Sequence, residues 1–533
     1  MKNILILSNG TSHDLITASH LIGSIKKEDP NTNIEVVTTE EFRELSDVVN
    51  NVSKFHYLDA NIITSIIDNP LYSDAFAANK FMEVIAPIAQ TQWDQIINYS
   101  NDNTSAFLIN AIGDSTKVGT YINDNGAPRC TGKWSIFQNY VASGLTRQTI
   151  DKVTVRNHMA KVPLHTDIEK IKTNQDYSVV ASQNFSRIRQ MKGSPATFIV
   201  GINLETGYDG YGMELDTYID IIENLEESSD YKPVLLLNGK NYQRQMANDL
   251  NKHFNNNLIS INIESVALPS VLANLDTIIS GSNDQLAIAD TMEAKCIELR
   301  DFSGKTYTPV ITNSENYIIY VKEEKTIASD ILLALNEEFG TELPIDYMTS
   351  SNPVYKTVQD SYGNFQTQIR GDLDIQQELR YHIERSFFYN CLGYEKNTEL
   401  IDHIKENTEK DVLNKYIVNL KSELTCTVKV LLATLRSLKG VKNSENSLNS
   451  FISYLDNLIA VGRENTIVSS IVRNFEGRVE NIDAHDVDSN IKAIETNLFQ
   501  LKSELQTLTN YMSDLATDTV SPTTQAVEIN KEA

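Results

Sequence analysis

Cysteine is scarce in this chain of 533 residues: Cys130, Cys296, Cys391 and Cys426 stand far apart, with no CxxC pair among them. That spacing excludes a zinc finger and a disulfide framework, and fits a reducing compartment. Basic residues are also few, with 46 Lys and Arg against 71 Asp and Glu and a formal net charge of −25. So acidic a chain is not expected to present a nucleic-acid groove or a broad patch for anionic membranes, although a small basic pocket for a phosphate remains compatible with it. Long apolar runs are missing too: nothing approaches the roughly 18 residues of a membrane span, and the run after Met1 and Lys2 is too short for a signal peptide. The expected setting is the cytoplasm, with peripheral attachment at the inner face of the membrane as a further option. No GxGxxG follows the first apolar run, and no Walker A, HExxH, GxSxG or kinase signature occurs, so none of those chemistries is indicated.

What is present is an alternation of strand-length apolar runs with helical patterns over residues 1–340. The strand candidates of the first half are NILIL (3–7), NIEVV (33–37), KFHYL (54–58), QIINY (95–99) and AFLINA (106–111). The second half offers TFIVGIN (197–203), VLLLN (234–238), LISINI (258–263), TIISGS (277–282), KCIEL (295–299) and YIIYV (317–321). Unbroken apolar strands separated by helices mean parallel sheets covered on both faces. Two such series predict two doubly wound, Rossmann-like domains, 1–160 and 195–345, meeting at a polar junction that carries Arg187, Arg189 and Lys192. Residues 345–372 are rich in Ser, Asn, Gln and Pro and read as a connector. From 372 to 516 the pattern is helical. Ile491, Ile494, Leu498, Leu501, Leu505, Leu508, Met512 and Leu515 form an a/d seam. The seam serves either a coiled coil between two copies of the chain, with a slight lean to this homo-oligomer, or a bundle within one. The tail 517–533 is polar and expected to be disordered.

The first strand runs into the polar loop Ser8-Asn9-Gly10-Thr11-Ser12-His13, and Asp14 stands at the start of an amphipathic helix. In an open parallel sheet this is where a ligand meets the carboxyl ends of the strands. Two roles suit Asp14: a helix N-cap, for which Asp is among the preferred residues, or a carboxylate that takes a proton from a bound hydroxyl.

Laid out as NILILSNGTSHDLITASHLIGSIKKEDP, this start resembles the ADP-heptose:lipopolysaccharide heptosyltransferase family without a gap, and the family's catalytic Asp falls on Asp14. The stretch from Trp93 to Asn123 looks like the family's next Asp–strand–loop–helix segment. IVGINLETG, VLLLNGKNYQRQMANDL and ALPSVLANLDTIISGSNDQLAIADTM have the order of its donor-binding domain. The resemblance implies a GT-B glycosyltransferase that uses a nucleotide diphosphate sugar as co-substrate. No metal and no other cofactor are implied. Asp14 would be the general base toward a glycan or protein acceptor, with Thr11, Ser12 and His13 lining the acceptor side.

On the donor side it points to Thr206, Gly207, Lys240, Asn241, Ser280, Gly281, Ser282 and Gln285. Here the sequence departs from the family. Ser280 and Gln285 stand where the family has an acidic residue and a His, and Glu205–Gly212 contains no Lys for the phosphates. Lys240, Arg187, Arg189 or Lys192 is then expected to supply the charge that a diphosphate leaving group needs. The alternative reading is a catalytically inactive protein of the same fold that acts as a binding or scaffold module through its helical domain. A nucleotide-sugar epimerase of similar architecture is a third, and would need paired acids and a His deep in the cleft.

Overall fold

The computed structural model describes residues 2–516 except 60–73, 192–197, 208–210, 303–310, 342–349 and the single positions 114, 124, 146, 166, 229, 314, 373, 396, 443 and 485. The expected tail at 517–533, like Lys192, lies outside the described residues. The chain divides into two compact units, Met1–Ser135 with Ile150–Leu373, and Ile136–Thr149 with Asp374–Ala533.

The first unit holds two main sheets, the first parallel and the second parallel over most of its width. Strands β1 (Asn3–Leu7), β2 (Asn33–Thr39), β3 (Lys54–Leu58), β4 (Gln95–Asn98) and β5 (Thr116–Val118) form one in the order β3-β2-β1-β4-β5. Ile4 to Leu7 are all buried, as an apolar strand covered on both faces requires. A separate hairpin pairs β6 (Thr120–Ile122) with β7 (Pro128–Cys130).

The second sheet is built from β8 (Phe198–Asn203), β9 (Tyr231–Leu237), β10 (Ile259–Asn262), β11 (Thr277–Gly281), β12 (Cys296–Asp301), β13 (Tyr317–Val321), β14 (Val354–Asp360) and β15 (Gly363–Arg370). Its order is β10-β9-β8-β11-β12-β13-β14-β15, parallel up to β13 and antiparallel beyond. Both sheets are therefore doubly wound, with the strand order reversing between β1 and β4 in the first and between β8 and β11 in the second. Such switch points open crevices at the carboxyl ends of the strands.

Two expectations are corrected. AFLINA is not a strand: it lies in the helix Asn103–Ile112, whose N-cap Asp102 accepts a hydrogen bond from Ser105 N at 2.9 Å. A short apolar run fits either state, and Phe107, at 60% exposure, marks the wet face of a helix. The supposed connector contains the hairpin β14–β15, which extends the second sheet. A strand at a sheet edge keeps one face in solvent, so its polar residues imitate a linker. Gly371 follows this hairpin at φ +84°, where a Cβ would stand 2.0 Å from Asn352 O. Asn352 is itself fixed, because its side chain accepts from Lys322 N and Glu323 N, both at 2.8 Å, and donates to Asp330 at 2.9 Å. Gly371→Ala is therefore expected to cost about 1–3 kcal/mol, readable by chemical denaturation.

The second unit is a helical bundle of Ile375–Cys391, Thr398–Asn407, Lys410–Leu438, Glu445–Val461, Ile467–Glu480 and Val487–Leu515. The a/d seam closes inside it: Leu498, Leu501, Leu505, Leu508, Met512 and Leu515 are buried within this one chain. Of the two options the bundle is the observed one for Leu498–Leu515, while Ile491 and Ile494 at the start of the seam are half-buried. Segment Ile136–Thr149 packs with these helices rather than with the first sheet, so the expected continuous domain 1–160 is interrupted.

Candidate active site

Both switch points carry loops drawn together by backbone contact. After β1, Gly10 N donates to Ser100 Oγ, which follows β4, at 2.8 Å. After β11, a Cβ on Gly281 would stand 3.0 Å from Gly207 N in the loop that follows β8. Neither glycine has room for a side chain without moving its neighbour.

The helix Ser12–Glu28 is capped by Thr11, whose hydroxyl accepts from Asp14 N at 3.0 Å. The cap reading of Asp14 is thereby corrected: Asp14 sits inside the first turn and its carboxylate is directed elsewhere. Its Oδ1 accepts from Lys152 Nζ at 2.5 Å and from Arg156 Nη1 at 2.8 Å. Lys152 and Arg156 lie four residues apart on the helix Lys152–Met159, whose N-cap is Asp151, and so share one face. Arg156 also stacks over the Tyr99 ring at 4.2 Å and reaches Ser100 O at 3.4 Å. Its Nε is buried without a hydrogen-bond partner among the described residues.

Burial alone would raise the Asp14 pKa, but Lys152 and then Arg156 outweigh it and hold the carboxyl well below the usual carboxylate range. His13 is kept neutral, its pKa pushed down to about 3 by burial first, then by Lys152, Arg156 and Arg300, against the opposing pull of Asp14. Burial, and next the nearby Arg156, lower the Lys152 ammonium, while Asp14 supports it. Arg300, on β12 of the second sheet, thus acts on the same locus as groups of the first. The helix Ser12–Glu28 packs against the helix Asp284–Thr291, with Ile16 in one core with Leu286 and Ala287.

The turn after β11 is bound to itself. Ser280 Oγ accepts from Asn203 Nδ2 and Asn283 Nδ2, each at 2.9 Å, and donates to Gly281 O at 2.8 Å. Asn283 caps the helix Asp284–Thr291 by accepting from Leu286 N at 3.1 Å. The Ser282 hydroxyl donates to Glu298, a buried carboxylate that also takes Arg300 at 3.3 Å and Ile311 N at 3.1 Å. Gln285 is buried, and its Oε1 has no partner among the described residues.

Of the residues expected from sequence, Asp14 and His13 are brought together, and so are Gly207 with Gly281 and Ser280 with the Asn283 cap. Thr206 is exposed, its N donating to Tyr242 OH at 3.4 Å. Asn241 opens the helix Asn241–His253 at the surface. Two of the cations expected to serve the phosphates are engaged elsewhere. Lys240 is paired with Glu205, Arg189 with Asp276 at 2.7 Å, and Arg187 is exposed. Sequence reasoning missed Lys152, Arg156 and Arg300. The i, i+4 spacing of the first two behind an Asp cap was a legible signal for one face of a helix, but nothing local aimed that face at Asp14.

No protein-family model matches this sequence, and no curated protein matches it. Among solved structures it is similar to the E. coli heptosyltransferase WaaC with ADP-2-deoxy-2-fluoro heptose, at 14% identity and TM-score 0.43 over 63% of this chain and 99% of that one. It is similar also to the E. coli ADP-heptose lps heptosyltransferase II, at 12% identity and TM-score 0.45 over 64% and 98%. A family 9 glycosyl transferase from Veillonella parvula aligns at 13% identity and TM-score 0.44 over 62% and 89%.

Proposed function

We propose that this chain transfers a glycosyl group from a nucleotide diphosphate sugar to a hydroxyl of a glycan or protein acceptor. One observation carries the reading: Lys152, Arg156 and Arg300, largely or wholly buried, act on one locus beside the β1–β4 switch point of a chain whose net charge is −25. Buried cations are costly unless an anion offsets them; among the described residues Asp14 pairs with Lys152 and Arg156, and Glu298 with Arg300. A diphosphate supplies the missing negative charge, and as a leaving group it needs cations near it.

In the reaction, the acceptor hydroxyl oxygen forms its bond to the anomeric carbon as the bond from that carbon to the diphosphate oxygen breaks. The hydroxyl proton passes to the Asp14 carboxylate and the electron pair leaves with the nucleoside diphosphate. A carboxylate beside a loop of backbone amides at a switch point suits that role.

A second reading, a non-catalytic binding module of the same fold, is favoured by the donor turn, where Ser280, Asn203 and Asn283 satisfy one another and Lys240 is committed to Glu205. A thermal-shift screen against ADP-, GDP-, UDP- and dTDP-sugars separates the two. A bound donor at about 100 times its Kd stabilises by roughly 2.7 kcal/mol, a shift of a few degrees for domains of this size. A shift with one nucleotide class, followed by sugar transfer to an acceptor, is the expected result. No shift with any of the four overturns the transferase reading in favour of the binding module.

A further inference from the structure

Two cations grip one oxygen of Asp14, and this is more positive charge than a single carboxylate offsets. Lys152 and Arg156 both donate to Oδ1, at 2.5 and 2.8 Å. Oδ2 lies on the side of Gly10, where an added Cβ would stand 3.0 Å from it. The Arg156 side chain is 2% exposed, yet its Nε finds no acceptor among the described residues. A buried donor left unmade is an expensive feature unless something else accepts from it. Among the described residues, His13 on the same helix and Tyr99 and Ser100 after β4 stand at this point, and Arg300 from the second sheet acts on His13. His13, Tyr99 and Ser100 bring no negative charge, and Arg300 is already offset by Glu298 at 3.3 Å.

We infer that Lys152 and Arg156 are a phosphate clamp that exchanges its counter-ion, from the Asp14 carboxylate in the resting protein to a phosphate of the incoming nucleotide diphosphate, so that donor binding itself frees the base. The inference rests on the glycosyl-transfer reading for the identity of the ligand. The physical reason is competition for the Lys152 ammonium, which Asp14 now holds, and for the charge of Arg156. Arginine presents a planar fork that fits two phosphate oxygens, and at present Nη1 is spent on a single carboxylate oxygen while Nε is idle. A diphosphate, with one negative charge on each of its two phosphates, that takes the Lys152 ammonium and the idle Nε side of Arg156 leaves Asp14 with less cationic charge. Its carboxylate is then more basic, and it becomes so only when a donor is in place. A resting base held by two cations is correspondingly guarded from idle proton transfer.

The test is equilibrium titration of the full-length chain with inorganic pyrophosphate, which needs no knowledge of the sugar. Wild-type protein is expected to bind it with an affinity that falls as salt is raised. Lys152→Met is expected to weaken binding about tenfold or more, since a cation of the clamp is gone. Asp14→Asn is expected to tighten it about tenfold, because the resident competitor is removed. Circular dichroism checks that each variant is folded, and Asp14→Ser replaces Asp14→Asn if the latter is not. Tightening in a folded Asp14 variant together with weakening in Lys152→Met supports the exchange. Unchanged or weaker binding in a folded Asp14 variant overturns it, as does a wild-type protein that does not bind pyrophosphate. If neither Asp14 variant folds, Lys152→Met decides alone. A nucleotide sugar that stabilises wild type and Lys152→Met equally removes the clamp while leaving glycosyl transfer standing.

Discussion

Asp14→Asn is expected to lower kcat for sugar transfer by about a hundred- to ten-thousand-fold, the contribution typical of a positioned general base. It is also expected to cost about 3–5 kcal/mol of stability, since it leaves Lys152 and Arg156 buried without their carboxylate. From the sequence alone the substitution leaves the fold intact, and the stability cost is visible only once the double ion pair is seen. The acid response gives an independent check. Asp14 titrates below the ordinary carboxylate range in the folded protein, so its contribution is present above the unfolded-state value of about 3.9 and is lost as pH falls below it. Wild type is therefore expected to lose this share of its stability on acidification, and Asp14→Asn, lacking it at every pH, to show a shallower decline. Unfolding curves at pH 7 and near pH 3 measure the difference, with transfer assayed at matched folded fraction. Equal slopes would remove the ion pair from the account, and undiminished turnover would remove Asp14 as the base.

A chain ending at residue 373 is expected to aggregate, even though it contains both main sheets entire. The reason is the segment Ile136–Thr149, which belongs to the helical unit. Phe137 and Val141 are buried, and the Phe137 ring lies 5.3 Å from Phe388. Tyr140 OH donates to Glu480 at 2.5 Å, Arg147 pairs with Glu378 and stacks over Tyr381 at 3.5 Å, and Thr149 O accepts from Arg385 at 2.8 Å. Removing residues from 374 onward strips all of these partners from a segment in the middle of the remaining chain. Two fully buried large apolar side chains re-exposed cost about 3–6 kcal/mol together, before the orphaned Arg147 is considered. Size-exclusion chromatography of the 1–373 chain reads the outcome directly, and a monomer with a cooperative thermal transition would refute it. The helices expressed from 374 to 516 are expected to be destabilised for the complementary reason, as Phe388 and Glu378 lose their cover.

The local readings that hold have local causes. NILIL, VLLLN and YIIYV are buried strands because parallel sheets demand apolar residues on both faces, and this is written in consecutive positions. The seam from Leu498 to Leu515 follows from helical period alone, and Phe387, Phe388 and Tyr389 are buried in the same bundle. Asp486 caps the helix Val487–Leu515, accepting from Ser489 N at 2.7 Å. Where the same local logic fails, a second structure fits the pattern equally well, as with the helix Asn103–Ile112 read as a strand and the edge hairpin β14–β15 read as a connector.

The sequence by itself determined two doubly wound sheets, a helical region, and the placing of Asp14 at the end of the first strand, because each depends on the order of residues along a short stretch. Tertiary structure alone decided what Asp14 touches, since Lys152 and Arg156 lie more than a hundred positions away and reach it only when their helix docks. It also decided that Lys240 faces Glu205 rather than a phosphate, that the seam closes within one chain, and that residues 136–149 join the helices. Burial and ion pairing are set by which surfaces meet, and no local period encodes that choice.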